Sequence, residues 1–551
     1  MCIRDRTQAS KLLVNLSFSG SKLINPQNAE GETAGQEAVW HEKIINFDHV
    51  QEWRSLPTND AIAQSIKLPI GVTTYKIEVD QNGIYEITVS DLAAKGLELP
   101  VDPATIQKMQ GGNPVSYQFV DTNNNQNFDA VDKIRFYGWA FSGSRQEKLY
   151  VTINIFWLWA GGEASHIPVI NNQAGSGTTV TTFRDSITEW QERHYASAWS
   201  VVWDVNDPTS WHTRRFAIEP EGTEHVVDVV LPNPVPNGQD DSYLVELTTH
   251  LRKPPDKPSI TTFAVETFLN TSTKFGERSW TGPKNLNIVN TVAANVLKQP
   301  GSAGYPTNQV KVKLDSNSPT PVPIHITRIT IAYTRQLVAI ADQLIFGREE
   351  GGPSTFKVSG FANDDPGQVL VWDISEPHTP QHIRMQAGNI TGSGANHTYS
   401  IGRNHAPQAK FIATTSENIL DIKSLSTYKP VSIDPPDEGA QWLAITHSSL
   451  RNAANQLAAY RHPQMGAYVV DIENVVNQVG YGFHTPETIR QYLRHAIRSW
   501  KTAPRYVTLF GDATNNPRNL PCVDCPSYWS TDSPTLIVTD LKFVDRWQGM
   551  I

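Results

Sequence analysis

The sequence holds almost no cysteine: Cys2, Cys522 and Cys525 are the only three in 551 residues. A disulfide scaffold is therefore excluded, and stability must come from packed cores. So little cysteine fits a bacterial protein of any compartment. Long apolar runs are missing too, and none approaches the roughly 20 residues that span a bilayer. There is no basic cluster, and the formal net charge is −9. That argues against nucleic acid as a partner and, less strongly, against anionic membrane surfaces. Several local signatures of chemistry are absent: no G-x-S-x-G elbow, no P-loop, no H-E-x-x-H pair and no G-x-G-x-x-G turn.

What remains is ordinary for a soluble globular chain, with 39% hydrophobic and 18% charged residues. The length exceeds a single core and implies about three or four domains. Frequent Asn, Thr, Pro and Trp with β patterning lean towards export. Met1 to Arg6, MCIRDR, resembles a translated sequencing-adapter remnant and is set aside. Residues 1–67 then read as a truncated segment and linker, with no signal peptide in view.

Residues 68–170 read as a small β-rich domain. Thr74 to Val79 and Ile84 to Val89 alternate around the turn Asp80-Gln81-Asn82-Gly83, which predicts a hairpin. Ser90 is placed to cap a short helix that Gly96 closes. Further on, DTNNNQNFDAVD puts oxygen side chains at Asp121, Asn123, Asn125, Asn127, Asp129 and Asp132. This is the one-three-five-seven-nine-twelve spacing of a calcium loop, in which a hard cation gathers oxygens from a compact turn. Gln126 stands where such loops carry Gly, Asp132 where they carry Glu, and no helix obviously flanks the run. An Asn-rich β-turn is the competing reading.

Residues 185–400 read as one β-sandwich, with strand-like runs separated by Pro, Gly and Asn clusters. Val310, Val312 and Leu314 alternate with Lys311 and Lys313, so one face is wet. A slip of alternation between Ile326 and Ile329 predicts a bulge. The tryptophans here (Trp190, Trp199, Trp203, Trp211, Trp280, Trp372) form no spaced platform and read as packing residues rather than a glycan surface. Residues 401–438 read as a connector ending in the Pro-rich stretch Ser432 to Asp437.

From residue 439 the pattern changes. Apolar runs Trp442 to Thr446, Ala467 to Ile472 and Tyr506 to Phe510 alternate with helical periodicity. Thr485 suits an N-cap, Pro486 the first helical position, and Glu487 the positive helix end. Ile489, Tyr492, Leu493, Ala496, Ile497 and Trp500 then line one face. Apolar strands separated by helices predict a parallel sheet covered on both faces. Ligands collect at the carboxyl ends of such strands, and Asp512 sits at one.

Cys522-Val523-Asp524-Cys525 is half a zinc site at best, because tetrahedral zinc needs four ligands. His447, His462, His484 or His495 are the available completers, and their spacing is not diagnostic. A loop disulfide or two idle thiols is the simpler reading. Nothing in the sequence pairs either loop cysteine with a histidine as a nucleophile would require.

Several runs in order resemble the gingipain family of cysteine peptidases. They are WLAIT ending in Thr446-His447, the LRNAANQLAAYRHPQMGAYVVDIENVVNQVGYG segment, HTPETIRQYLRHAIRSW and YVTLFGDATNNPRN. Upstream, YKIEVDQNGIYEITVSDLAAKGL, DKIRFYGWA, YTRQL and VLVWDISEPHTPQHI are similar to the β-rich leader of many members. The resemblance covers most of residues 70–551. It implies a secreted or cell-surface peptidase with a caspase-like α/β domain, here the start of one over 439–551, and a protein or peptide substrate. It implies a Cys–His dyad with the His in a Gly-His-Gly-like motif. No His here is followed by Gly, so no catalytic residue is carried over, the dyad is expected past Ile551, and the chain alone is expected to be inactive. Asp512 matches the family's Gly-Asp segment without an assigned role. Calcium is common in the family, and no organic cofactor is implied. Two rivals stand beside this reading: a sortase-like member that processes secretion signals of surface proteins, and a non-enzymatic β-sandwich adhesion or glycan-binding protein.

Overall fold

The computed structural model describes residues 67–143, 147–189, 194–195, 223–235, 244–252, 262–270, 273–281, 285–298, 307–316, 325–394, 396–436, 439–511 and 522–523. Asp512 and Cys525 fall outside this set, as do Trp190, Trp199, Trp203 and Trp211. The chain is β-rich until residue 428 and becomes a parallel α/β segment from Trp442 onward.

The β-rich part is nested like brackets. The chain begins in a first β layer, passes through one sandwich into a second, returns to the one it left, and closes on the first layer. One sheet of that layer orders Ser424–Tyr428, Thr74–Val79, Asn154–Trp159, Gln107–Gln110 and Asn113–Pro114; the other orders Leu420–Asp421, Gly83–Thr88, Lys133–Gly138 and Gln118–Val120. The 401–438 stretch is thus not a connector. It completes one strand, forms Ala409–Thr415, and supplies the two closing strands Leu420–Asp421 and Ser424–Tyr428. These lie parallel to Gly83–Thr88 and antiparallel to Thr74–Val79, respectively.

The expected hairpin is also not a hairpin. Thr74–Val79 and Gly83–Thr88 meet at the Asp80 turn, but each pairs with other strands and they sit in different sheets. The physical reason is burial. Tyr75, Ile77, Val79, Ile84, Tyr85 and Ile87 are all essentially solvent-free in one core. Splitting the strands between two sheets lets them face each other across that core instead of lying side by side. The short helix after them is Val89–Ala94, and Thr88 rather than Ser90 caps it, accepting from Asp91 N.

The 185–400 stretch contains two sheet pairs, not one. Thr182–Glu189, His325–Gln336, Leu244–Arg252 and Asn285–Ala293 form one sheet; Thr223–Val230, Thr307–Ser316, Thr262–Leu269 and Thr273–Thr281 form its partner. Their core holds Phe263, Trp280, Val310, Val312 and Tyr333. The expected bulge is present: His250 pairs Arg328 and Leu251 pairs Ile326, leaving Thr327 as the extra residue. The other pair uses Val169–Asn171 and Thr178–Val180 with strands from 344 to 415. Within it, Val369–Asp373 is buried along its whole length. Val369 and Val371 face the sandwich core, whereas Leu370 and Trp372 face the core of the first layer. One sheet therefore seals two cores, which is why VLVWD reads as continuous rather than alternating.

The core of the first layer contains one amine. Lys108 is 1% exposed. Its Nζ lies 3.7 Å from the Phe136 ring centre and 3.8 Å from that of Phe156. It has no hydrogen-bond partner among the described residues. Burial drives its pKa well below the usual lysine range.

Candidate functional site

The α/β segment is a three-stranded parallel sheet ordered Ala467–Asp471, Trp442–Thr446, Tyr506–Phe510. Helix Arg451–Met465 packs on one face through Ala458 and Leu457. Helices Ile472–Gln478 and Pro486–Ser499 cover the other through Val475, Val476, Ile489, Tyr492, Leu493 and Ala496. The sequence signals act as expected: Thr485 Oγ1 accepts from Thr488 N at 3.3 Å, with Pro486 in the first turn. Ile497 departs from expectation. It is 51% exposed, because the buried stripe is fully occupied by its neighbours one turn apart.

Register sets the site. Thr446 pairs with both Asp471 and Phe510, so the three strands end level. The carboxyl edge of a parallel sheet is where ligands collect. Thr446 is solvent-free and its hydroxyl donates to the His447 carbonyl at 3.0 Å. His447 Nδ1 accepts from Ser449 N at 3.3 Å, capping the next turn. That acceptance leaves the ring proton on Nε2. Asp471 is 8% exposed. One of its oxygens accepts from Glu473 N at 3.0 Å and starts the following helix. Its other oxygen meets Arg451 Nη1 at 3.4 Å. Glu473 lies 3.6 Å from His484 Nε2. Burial pushes the His484 pKa below its ordinary value, opposed by Glu473 and assisted by Lys76.

The edge is thus an ordered set of two acids, two histidines, one guanidinium and small hydroxyls. It can orient polar backbone of a bound chain and hold a proton on imidazole. Sequence reasoning placed Thr446 and His447 here but missed Asp471 and Arg451. The available signal was the acid closing the apolar run AYVVD.

The four histidines considered as zinc completers do not gather. His447 bonds Ser449, His462 Nδ1 accepts from Ala467 N at 3.1 Å, His484 meets Glu473, and His495 meets Asp434 at 2.8 Å. The His495 contact, and a second from the Trp500 indole, hold the Asp434 carboxyl below its ordinary range. Cys522 belongs to a two-residue strand paired parallel with His194–Tyr195.

The Asp121 loop joins Gln118–Val120 to Lys133–Gly138. Asp121 accepts from Asn125 N at 3.1 Å and Gln126 N at 2.7 Å. The Asn123 and Asn125 amides both reach Asp129 Oδ2, at 2.9 and 2.7 Å. These amides, Asn123 first, lower the Asp129 pKa. Asn127 N bonds the Asn125 side chain at 2.8 Å. Asp132 is buried, and its two oxygens accept from Thr122 N and Asp129 N. Asn124 and Gln126 adopt positive φ, 57° and 65°, the backbone that a Gly would supply more easily. The donor chemistry fits a hard cation, while the oxygens shown are engaged within the loop. Among the described residues no group of three or more His, Cys, Asp or Glu side chains is disposed to hold a metal ion.

No curated protein matches the sequence. Residues 435–546 match Peptidase family C25. The crystal structure of dimeric latent PorU from Porphyromonas gingivalis is similar in fold, with a TM-score of 0.53 and 13% identity, covering 82% of this chain and 42% of that chain. The chain therefore spans less than half the length of that relative. The tandem CBM22 domains of Paenibacillus barcinonensis Xyn10C (TM-score 0.19, 10% identity, 48% of this chain and 80% of that one) carry no argument. Nor does the structure of infectious bursal disease virus Gx strain (0.17, 7%, 65% and 66%).

Proposed function

We propose that this chain, whose residues 435–546 are a segment of peptidase family C25, the gingipain family, is part of a secreted or surface cysteine endopeptidase. The observation that carries the reading is the family match falling on the level-ended parallel sheet Ala467–Asp471, Trp442–Thr446, Tyr506–Phe510. The likeness of the chain to the PorU structure supports it at the level of fold. In this reading a thiolate attacks the peptide carbonyl, and a histidine passes a proton to the leaving amine. Water then hydrolyses the thioester. We assign neither the thiol nor that histidine to a residue of this chain, and expect the chain alone to be inactive. Protein or peptide is the substrate, and the sheet is the start of a caspase-like domain. No helix among the described residues is long and apolar enough to cross a membrane.

The test is the full product of the gene that carries this sequence, given an internally quenched peptide library and a thiol-directed covalent probe. Hydrolysis that the probe abolishes supports the reading. Release of the same peptides onto an added amine, with little hydrolysis, favours the sortase-like rival. Neither hydrolysis nor labelling, together with glycan binding by the β-rich part, replaces it with the adhesion reading. The reading also takes the Asp121 loop as a calcium site, supported by its donor spacing.

A further inference from the structure

We propose that the first β layer is a permanent half of the peptidase module, docked as a wall beside its strand-end rim, rather than a leader to be shed. The inference rests on the reading of the α/β segment as peptidase. It is carried by the face of the five-stranded sheet that turns away from the main core. Leu68, Met109, Ile155, Trp157 and Trp159 lie on that face, and all are buried. What covers them is the α/β segment: Tyr481 and Phe483, with Tyr428 beside them. The Trp157 indole donates to the Tyr481 carbonyl at 2.9 Å. Phe141 and Phe483 meet as tilted rings with centres 5.0 Å apart. Gly482 approaches so closely, at φ 94°, that a Cβ there would stand 2.8 Å from Ile155 Cδ1.

Polar contacts continue the seam. The Tyr428 hydroxyl bonds Asn474 Oδ1 and Gln478 Nε2, each at 2.9 Å, and Gln478 also reaches the Val431 carbonyl at 2.7 Å. His484 faces Glu473 on its own segment, and Lys76 and Glu78 of the first layer act on it. The position of the seam matters. Helix Pro486–Ser499 runs back from the carboxyl edge to the opposite end, where Thr502 bridges Gly439. The loop before it therefore stands on the same rim as Asp471. Release of the layer would expose two buried indoles, Trp157 and Trp159. An apolar interface centred on a desolvated tryptophan and rimmed by polar contacts has the anatomy of a stable association.

The test inserts a site-specific protease sequence between Asp437 and Glu438 of the chain and cuts it. The expected result is a single native species at unchanged elution volume, which parts only in denaturant. Trp157→Phe keeps an aromatic ring and removes only the N–H to Tyr481. It is expected to lower the urea concentration at which the pieces part, and Phe483→Ala to lower it further. Separation of the wild-type pieces in native buffer overturns the proposal. So does an unchanged parting concentration in both variants. The readout is association, so it stands or falls independently of peptidase activity.

Discussion

Trp157 and Tyr481, 324 residues apart in sequence, share a 2.9 Å hydrogen bond from indole N–H to backbone carbonyl. The bond fixes the loop of one fold class on the sheet of another. Tyr481 holds φ 51° to present that carbonyl, a conformation non-glycine residues adopt only when their surroundings require it. Trp157→Ala removes the bond and the largest side chain of the seam at once. The expected cost is about 3–5 kcal/mol. It should appear unevenly: amide exchange rises in 472–499 more than in Lys133–Gly138. Equal acceleration in both regions would show that the seam is not a distinct cooperative boundary.

Much of the α/β segment was legible because its signals are local. Thr485, Pro486 and Glu487 mark a helix start within three residues, and Trp442 to Thr446 is apolar throughout. The pairing of Thr74 with Tyr428 was not legible. No local pattern records a partner 354 residues away, although the Thr74 hydroxyl bonds the Tyr428 carbonyl at 2.7 Å. The Asp80 turn signals a reversal of direction, and it is silent on whether the two strands then pair. Asp471 went unnoticed for a related reason. An acid after an apolar run gains meaning only when register sets it level with Thr446.

Lys108 predicts an inverted pH dependence. Its amine faces Phe136 and Phe156, with His378 as the titratable neighbour, and Glu376 acts on that histidine. Two ring faces return about 1–2 kcal/mol each, less than the several kcal/mol that desolvating an ammonium costs. The folded state therefore holds the amine neutral, and the unfolded state binds the extra proton. Stability then rises with pH up to the usual lysine range and is lost as pH falls. Lys108→Met should flatten this slope and raise stability near neutral pH by about 1–3 kcal/mol, the cost of a buried polar group without a hydrogen bond. Urea midpoints at three pH values check it. A variant less stable than wild type at every pH would show the amine to be stabilising.

The Asp121 loop predicts a calcium response. If a cation replaces the amide hydrogens now bonded to Asp129, Asn123 and Asn125 turn their oxygens inward. Binding to the folded state alone adds about 2.7 kcal/mol when free calcium is 100-fold above the dissociation constant. The melting temperature should rise with calcium, and Asp129→Asn should weaken the rise. No change up to about 10 mM, above the range of weak extracellular sites, leaves the Asn-rich turn as the whole account.

His484 makes the docking seam sensitive to acid. Its side chain is 40% exposed and 3.6 Å from Glu473, with Lys76 and Glu78 acting from the first layer. Burial is the largest influence and lowers its pKa; Glu473 works against it. A lowered folded pKa means that the unfolded state binds the proton first. The stability contributed is therefore complete above the ordinary histidine range and falls as pH drops through it. The cut chain described above should part more readily at pH 5.5 than at pH 7.5, with the change falling below pH 6.5, between the ordinary histidine value and the lowered folded one. His484→Gln should remove that difference while leaving the pH 7.5 value close to wild type. A difference that survives the substitution overturns the assignment of the acid response to His484.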